Sequence, residues 1–104
     1  MSRRMVSGSR DRNVLLWDMK ENGALIETYS GHEFTVMSVQ LDGQRIVSAS
    51  GDQTIKVWDI QRSQCETTLS KHTQVVMSVC ADQEKIVSGS ADKTVIVWDF
   101  LRGI

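Results

Sequence analysis

The sequence of 104 residues has no long hydrophobic run, and its longest apolar stretches, such as 95–98, span only a few residues. A helix that crosses a membrane needs roughly 20 consecutive apolar residues. We therefore expect a soluble chain with no membrane partner. The first residues also lack the apolar core and the small-residue cleavage site of a secretory signal. An intracellular protein, in the cytoplasm or the nucleus, is expected.

The chain also lacks an excess of either charge, with 12 lysine and arginine residues against 13 aspartate and glutamate residues. A protein that binds the phosphate backbone of nucleic acid normally carries a basic surface. The balance therefore argues against a nucleic-acid partner. The chain is also no longer than one ordinary domain, so the composition predicts a single domain.

Cysteine is scarce, with only Cys65 and Cys80. Two cysteines this far apart make neither a disulfide framework nor a paired-cysteine metal motif. Together with His72 they are ligand types that suit zinc, but their spacing matches no familiar zinc motif. We therefore expect no metal and predict that both thiols are free and buried. Glycine-rich phosphate loops are absent as well, so no cofactor is expected.

The sequence does contain an internal repeat of about 40 residues. A Trp-Asp pair recurs at intervals of 41 and 40 residues, at Trp17-Asp18, Trp58-Asp59 and Trp98-Asp99. The sequences around each pair align over fifteen positions: RMVSGSRDRNVLLWD over 4–18, RIVSASGDQTIKVWD over 45–59 and KIVSGSADKTVIVWD over 85–99. A second block repeats in phase, because His32 and His72 each precede the next tryptophan by 26 residues.

The repeated unit is predicted to consist of short strands rather than helices. Its segments are β-branched and partly alternating in polarity, as in 36–41, 45–48, 54–58 and 65–69. Turn residues separate them, and Asp42-Gly43 suits a tight hairpin that requires positive φ. No window shows a sustained helical period, which argues against a two-helix solenoid of similar repeat length. Four antiparallel strands per unit are expected.

Four strands in each unit, with Gly-His before the first and Trp-Asp closing the third, resemble the blades of WD-repeat β-propellers. The resemblance covers nearly the whole chain. It implies an all-β fold of four-stranded antiparallel blades that is incomplete, with about two and a half blades and no closed ring. The single segment 1–104 then divides into a partial blade at 1–31, a complete blade at 32–71 and a partial blade at 72–104. Lys71 in place of glycine, and Asp82-Gln83 in place of an Asp-Gly turn, depart from the family pattern.

The resemblance also implies a role for the repeated polar residues. In the family, the loop histidine, a serine on the second strand, the turn aspartate and the third-strand tryptophan form a hydrogen-bonded network within a blade. The matching residues here are His32, Ser48, Asp52 and Trp58, then His72, Ser88, Asp92 and Trp98, with Asp11 and Trp17 in the first blade. A Ser-His-Asp hydrolase is the alternative. A catalytic triad serves one pocket, whereas a set copied in each repeat serves a need of every repeat, so we predict no catalytic residue.

The loop residues at the rims of the blades vary while the frame repeats, which indicates a surface for binding other proteins or peptides. The candidates flank the turn aspartate or follow the loop histidine: Phe34, Thr35, Gly51, Gln74, Val75, Ala91, Arg10 and Arg12. Phe34 would anchor an apolar contact, and the two arginines would bind a carboxylate or a phosphorylated residue. The alternatives are unconstrained loop variation, packing of Phe34 under a neighbouring blade, and arginines that are only solvated.

Together these observations predict a non-catalytic scaffold for protein-protein interaction. The compact link over 41–48 also looks like the propellers of F-box substrate receptors of ubiquitin ligases, although these 104 residues contain no F-box segment. A propeller hydrolase is the alternative from another class, and it requires acidic or metal-binding residues that converge on one channel end. An open ring leaves two apolar blade faces uncovered. Remaining blades of a longer chain, or other subunits, are therefore expected as further partners.

Overall fold

The computed structural model describes residues 4–8, 10–18, 23–81 and 85–99. These residues form ten short β-strands and no helix, as the repeat pattern predicts. The strands are β1 Arg4–Gly8, β2 Asn13–Asp18, β3 Ala24–Ser30, β4 Val36–Asp42, β5 Arg45–Ser50, β6 Ile55–Asp59, β7 Gln64–Leu69, β8 Val76–Ala81, β9 Lys85–Ser90 and β10 Val95–Asp99. The expected irregular turn at 82–83 lies outside the described residues.

The strands form three antiparallel sheets in which neighbours in sequence are neighbours in space. The first sheet contains β1 to β3, the second β4 to β7 and the third β8 to β10. In the second sheet Asp42 pairs with Arg45, which leaves a two-residue turn between β4 and β5. Gly43 of that turn has a φ of 58°, a conformation that glycine adopts without steric cost. The all-β, antiparallel fold class is thus confirmed for the described residues.

The second sheet lies between the other two and packs against both. Successive side chains on a strand point to opposite faces of the sheet, so apolar residues on both faces of the second sheet are covered. The core shared with the first sheet contains Val14, Leu16, Tyr29, Val36, Ile46 and Trp58. The core shared with the third sheet contains Val47, Ala49, Ile55, Val57, Leu69, Val76, Val79, Ile86 and Trp98.

The far face of the third sheet is uncovered in the part of the chain that the structure describes. Ile55 and Val57 of the second sheet are 0% and 1% exposed, whereas their repeat equivalents Val95 and Val97 are 70% and 58% exposed. We call the apolar side formed by Val87, Val95 and Val97 the open face. Its residues have the same chemistry as the buried face of the preceding sheet, and the three sheets therefore form an open row rather than a closed ring.

Candidate functional site

A hydrogen-bonded network crosses the second sheet and centres on His32, in the loop between β3 and β4. The Nδ1 atom of His32 lies 2.9 Å from Oδ2 of Asp52, and its Nε2 atom lies 2.6 Å from Oγ of Ser48. A carboxylate only accepts hydrogen bonds. Nδ1 of His32 therefore carries the proton, and Nε2 accepts the hydroxyl proton of Ser48. The indole N–H of Trp58 donates to the same Oγ at 2.8 Å.

The third sheet carries the same network one repeat later. His72 lies 3.1 Å from Asp92 through Nδ1 and 2.8 Å from Ser88 through Nε2. Trp98 donates its indole N–H to Oγ of Ser88 at 2.9 Å. Two copies with matching geometry indicate that the arrangement belongs to the frame of each sheet.

The first sheet has a shortened version of this network, since the chain contains only two histidines. The indole N–H of Trp17 donates to Oγ of Ser7 at 2.9 Å. The carboxylate of Asp11 accepts the backbone N–H of Asn13 at 3.3 Å, which closes the turn before β2. Ser7 therefore occupies the position of Ser48 in this sheet.

Asp52 joins the loop and the turn because its carboxylate accepts hydrogen bonds from both. Besides His32, it accepts the backbone N–H of Glu33 at 2.9 Å and the backbone N–H of Thr54 at 2.9 Å. The hydroxyl of Thr54 donates to it as well. Burial tends to raise the pKa of Asp52, but the hydrogen bonds from Thr54, Glu33 and His32 outweigh it and hold that pKa below the ordinary value. The carboxylate is therefore charged and fully engaged at neutral pH.

The network makes the stability of the chain sensitive to acid. Burial lowers the pKa of His32 below its ordinary 6.5, and the carboxylate of Asp52 offsets this only in part. Below about pH 6.5 the unfolded chain binds a proton at His32 that the folded chain resists. The contribution of His32 to stability is therefore complete above the unfolded pKa and falls below it. Asp52, with its lowered folded pKa, adds a second loss below about pH 3.8.

We expect urea midpoints to fall between about pH 7.5 and about pH 5.5, where histidine titrates and carboxylates do not. The control is His32→Gln, which removes the titrating group and should flatten the profile in this window. Midpoints of the wild-type chain that stay equal at the two pH values would contradict a neutral, buried His32.

The set His32, Ser48 and Asp52 also has the spacing of a hydrolase triad, but the serine is inaccessible. Ser48 is 0% exposed, and its oxygen already accepts the indole N–H of Trp58. A nucleophile must contact the substrate carbonyl. A groove of about 230 Å³ lies beside the network but does not include Ser48; it is lined by Gly31, Glu33, Asp52, Thr54, Lys56 and Thr68. This geometry fits a structural role for the hydrogen-bonded network, because a substrate cannot reach the buried hydroxyl of Ser48.

Six of the predicted partner-binding residues lie together at one end of the second and third sheets. The backbone N–H of Gly51 donates to the carbonyl of Thr35 at 2.9 Å, and that of Ala91 donates to Val75 at 3.0 Å. Phe34 is 62% exposed, so it does not pack under a neighbouring sheet. We call this region the rim surface, and it consists of Phe34, Thr35, Gly51, Gln74, Val75 and Ala91.

Arg10 and Arg12 occupy the corresponding turn of the first sheet and are exposed. Arg12 has a φ of 75°, which matches 74° at Gln53 and 70° at Lys93. The left-handed conformation is thus a property of this turn in every repeat. Arg12 therefore occupies the left-handed position of the turn. Arg10 takes the place that Gly51 holds in the second sheet.

The prediction that both cysteines are buried is wrong, since Cys65 and Cys80 are both exposed. Cys65 lies on β7, an edge strand of the second sheet. Cys80 lies opposite Val87 and therefore shares the open face of the third sheet. The repeat sequence alone does not show that this face of the third sheet is exposed, because the equivalent face of the second sheet is covered.

Sequence reasoning also missed two residues that hold the rim in place. The hydroxyl of Ser50 lies 3.1 Å and 3.0 Å from the carbonyl oxygens of Phe34 and Thr35, and it accepts the backbone N–H of Asp52 at 3.1 Å. Thr54 caps the turn through Asp52. Serine and threonine recur at these positions one repeat later, at 90 and 94. This recurrence is the sequence signal that could have identified both residues.

Comparison with known proteins places these repeats in a family. The sequence profile described as "WD domain, G-beta repeat" matches residues 1–18, 23–59 and 63–99, which is most of the chain. The chain belongs to the WD-repeat family. Its geometry agrees, because the solved structure titled "Structure of U3-55K" superposes on it with a TM-score of 0.89 and 25% sequence identity. That match covers 97% of this chain and 32% of the other.

Several relatives with different names match this WD-repeat chain at similar sequence identity. A periodic tryptophan protein 2 homolog of Caenorhabditis elegans is 41% identical over 61% of this chain and 7% of its own length. F-box/WD repeat-containing protein 9 of Homo sapiens is 43% identical over 53% of this chain and 14% of its own length. A guanine nucleotide-binding protein subunit beta of Oryza sativa subsp. indica is 40% identical over 59% of this chain and 17% of its own length. The chain therefore spans a small part of these relatives.

Within the described residues, no helix is long and apolar enough to span a membrane.

Proposed function

We propose that this WD-repeat chain is a non-catalytic scaffold that binds other proteins through its rim surface. The observation that carries the proposal is Phe34, a large apolar side chain that is 62% exposed on a loop held by a buried network. Exposed aromatic residues in fixed positions are the usual anchors of protein interfaces. Family membership supports the same function class, because the relatives named above share the repeat and carry different names.

The backbone around Phe34 is held in place before any partner arrives. Asp52 accepts the N–H of the preceding residue, Glu33, and Ser50 reaches the carbonyl oxygens of Phe34 and Thr35. A loop that is already ordered loses little conformational entropy on binding. This favours a recognition surface over a loop that is merely variable.

The open face supports a second kind of partner, namely further blades. Val95 and Val97 have the positions that Ile55 and Val57 use to contact the third sheet. A blade whose covering face resembles that of the third sheet would bury them. We propose that such blades belong to a longer form of the chain or to another subunit, and that the protein acts inside the cell, in the cytoplasm or the nucleus.

The named relatives do not favour a role in ubiquitin ligation over the general one. The F-box/WD repeat-containing relative is 43% identical in its matched region, but the C. elegans and rice relatives reach 41% and 40%. The general scaffold is therefore the function that we propose.

Replacing Phe34 by alanine tests this function. Immobilised wild-type chain should retain a defined set of proteins from a cell extract, and the Phe34→Ala variant should retain them at least about tenfold less. The matched control is Gln64→Ala, an exposed change at the start of β7, which pairs with Asp59 at the end of the second sheet opposite the rim surface. Equal retention by wild type and Phe34→Ala would contradict the proposal. Covalent labelling of Ser48 by a fluorophosphonate probe would instead favour the hydrolase alternative.

A further inference from the structure

β3 forms one edge of the first sheet, and two large apolar side chains lie exposed on it. Among the described residues β3 pairs with β2 alone, so the backbone groups along its other side face no neighbouring strand. Leu25 is 50% exposed and Ile26 is 48% exposed. We call these two residues the edge patch. An edge strand that also exposes apolar side chains is a template for pairing with another extended segment.

The repeat does not require apolar residues at the edge patch. Cys65 and Glu66 hold the same two positions on β7, because each strand pairs with its neighbour in the same register. Glu66 lies 3.7 Å from Arg45, so the second sheet has a charged residue in an ion pair where the first sheet has Ile26. The fold therefore accepts polar side chains here, and folding alone does not explain Leu25 and Ile26.

A further blade packed on the first sheet would not bury the edge patch. Directly opposite residues of paired strands share a face, so Leu25 lies on the face of Trp17, and Cys65 lies on the face of Trp58. The first sheet covers Trp58, which belongs to their shared core. Cys65 and Glu66 are nevertheless exposed. The edge patch is therefore a surface in its own right, separate from the open face and from the rim surface.

The charge of the same strands selects a basic partner. The charged residues of β2 and β3 are Asp18 and Glu27, and both are acidic. Glu27 pairs with Leu16 and Leu25 pairs with Trp17, so Glu27 and Leu25 lie on opposite faces of the sheet. β3 contains neither lysine nor proline, which commonly block pairing at an edge. A second copy of β3 would bring further carboxylates to this edge and is disfavoured.

We propose that the edge of β3 binds an extended segment of a protein partner as an additional strand. The segment alternates apolar residues, which contact Leu25 and Ile26, with lysine or arginine residues, which lie on the face of Glu27. In this mode of recognition, main-chain hydrogen bonds supply affinity and alternate side chains supply specificity. The surface does not include Phe34, so this inference goes beyond the proposed function and does not depend on it.

Nuclear magnetic resonance on the full chain labelled with ¹⁵N tests the inference. The probe is a capped hexapeptide that alternates lysine with valine. Three comparison peptides replace every valine by serine, replace every lysine by glutamate, or methylate every backbone nitrogen. We expect the lysine-valine peptide to shift the amide signals of Leu25, Ile26 and Thr28. Each comparison peptide should bind at least about fivefold more weakly.

Substitutions in the edge patch should weaken this binding. Leu25→Ser is expected to weaken binding of the lysine-valine peptide about fivefold or more, whereas Cys65→Ser, at the same repeat position on β7, should leave it within about twofold. Ile26→Lys places a cation beside the basic peptide and should weaken binding in the same direction, which provides a second test. Phe34→Ala should leave the binding unchanged.

The outcomes separate this inference from the proposed function. If no peptide shifts the signals of the edge patch, the inference is overturned and the scaffold function of the rim surface stands. Equal binding of any comparison peptide would overturn the inferred chemistry of the partner segment. Loss of binding in Phe34→Ala would assign the peptide to the rim surface instead. Shifts of the same signals that grow with chain concentration, without peptide, would show a second copy at this edge and overturn the inferred partner.

Discussion

Replacing Val57 by aspartate is expected to destabilise the chain by about 3–5 kcal/mol, whereas the same change at Val97 should cost less than about 1 kcal/mol. The two residues hold the same position in successive repeats and differ only in whether another sheet packs over them. Val57 is 1% exposed in the core between the second and third sheets, and Val97 is 58% exposed on the open face. A carboxylate at Val57 loses its hydration and an apolar contact together.

Urea unfolding followed by tryptophan fluorescence measures both variants under the same conditions. Val97→Asp is the matched control, because it introduces the same charge into the same sequence context. In a form of the chain with a further blade packed on the third sheet, the two substitutions should become equally costly. Equal costs in the 104-residue chain itself would show that the open face is already covered, for example by a second copy.

Replacing Asp52 by asparagine is expected to cost about 1–3 kcal/mol. Asparagine can accept at its carbonyl oxygen, but its amide group is a donor facing the donors of His32, Glu33 and Thr54. At least one buried donor then loses its partner, and His32 loses its charged acceptor. The loss comes from several hydrogen bonds in one network, which is why it exceeds that of an ordinary surface change.

Thermal or urea melting compares Asp52→Asn with Glu66→Gln, which also turns a carboxylate into an amide. Glu66 lies 3.7 Å from Arg45 in a pair whose side chains are both about 40% exposed. Exposed pairs contribute little, so this control should shift stability by less than about 0.5 kcal/mol. Equal melting of wild type and Asp52→Asn would mean that the network around His32 does not form in solution.

Much of the fold follows from local pattern in the repeat. The segments 36–41 and 45–48 were predicted as strands and lie within β4 and β5, and the fourth strand predicted at 65–69 is β7 with one residue more. Such agreement is expected, because alternation and β-branching act within a strand and the Asp42-Gly43 turn closes its own hairpin. The WD-repeat family and the all-β fold class were predicted on this basis and are confirmed.

Burial was the property that local pattern predicted poorly. Cys80 was expected in a core and instead lies on the open face, opposite Val87. Burial of any one residue depends on whether another sheet covers it, and the repeat sequence is nearly the same for a covered sheet and for an uncovered one. The roles assigned to the rim residues stay predictions for the same reason, since they depend on a partner.

The sequence by itself determined the repeat, its strands, its turns and the residue types that tie each sheet together, because these depend on interactions within about 40 residues. Only the tertiary structure decided which copies of a position are buried and which are exposed. Val57 and Val97 are the same residue in the same motif, yet one is 1% and the other 58% exposed. The closeness of Phe34 and Val75 to Gly51 arises in the same way, because these two residues are distant in sequence and come together only when the second and third sheets pack.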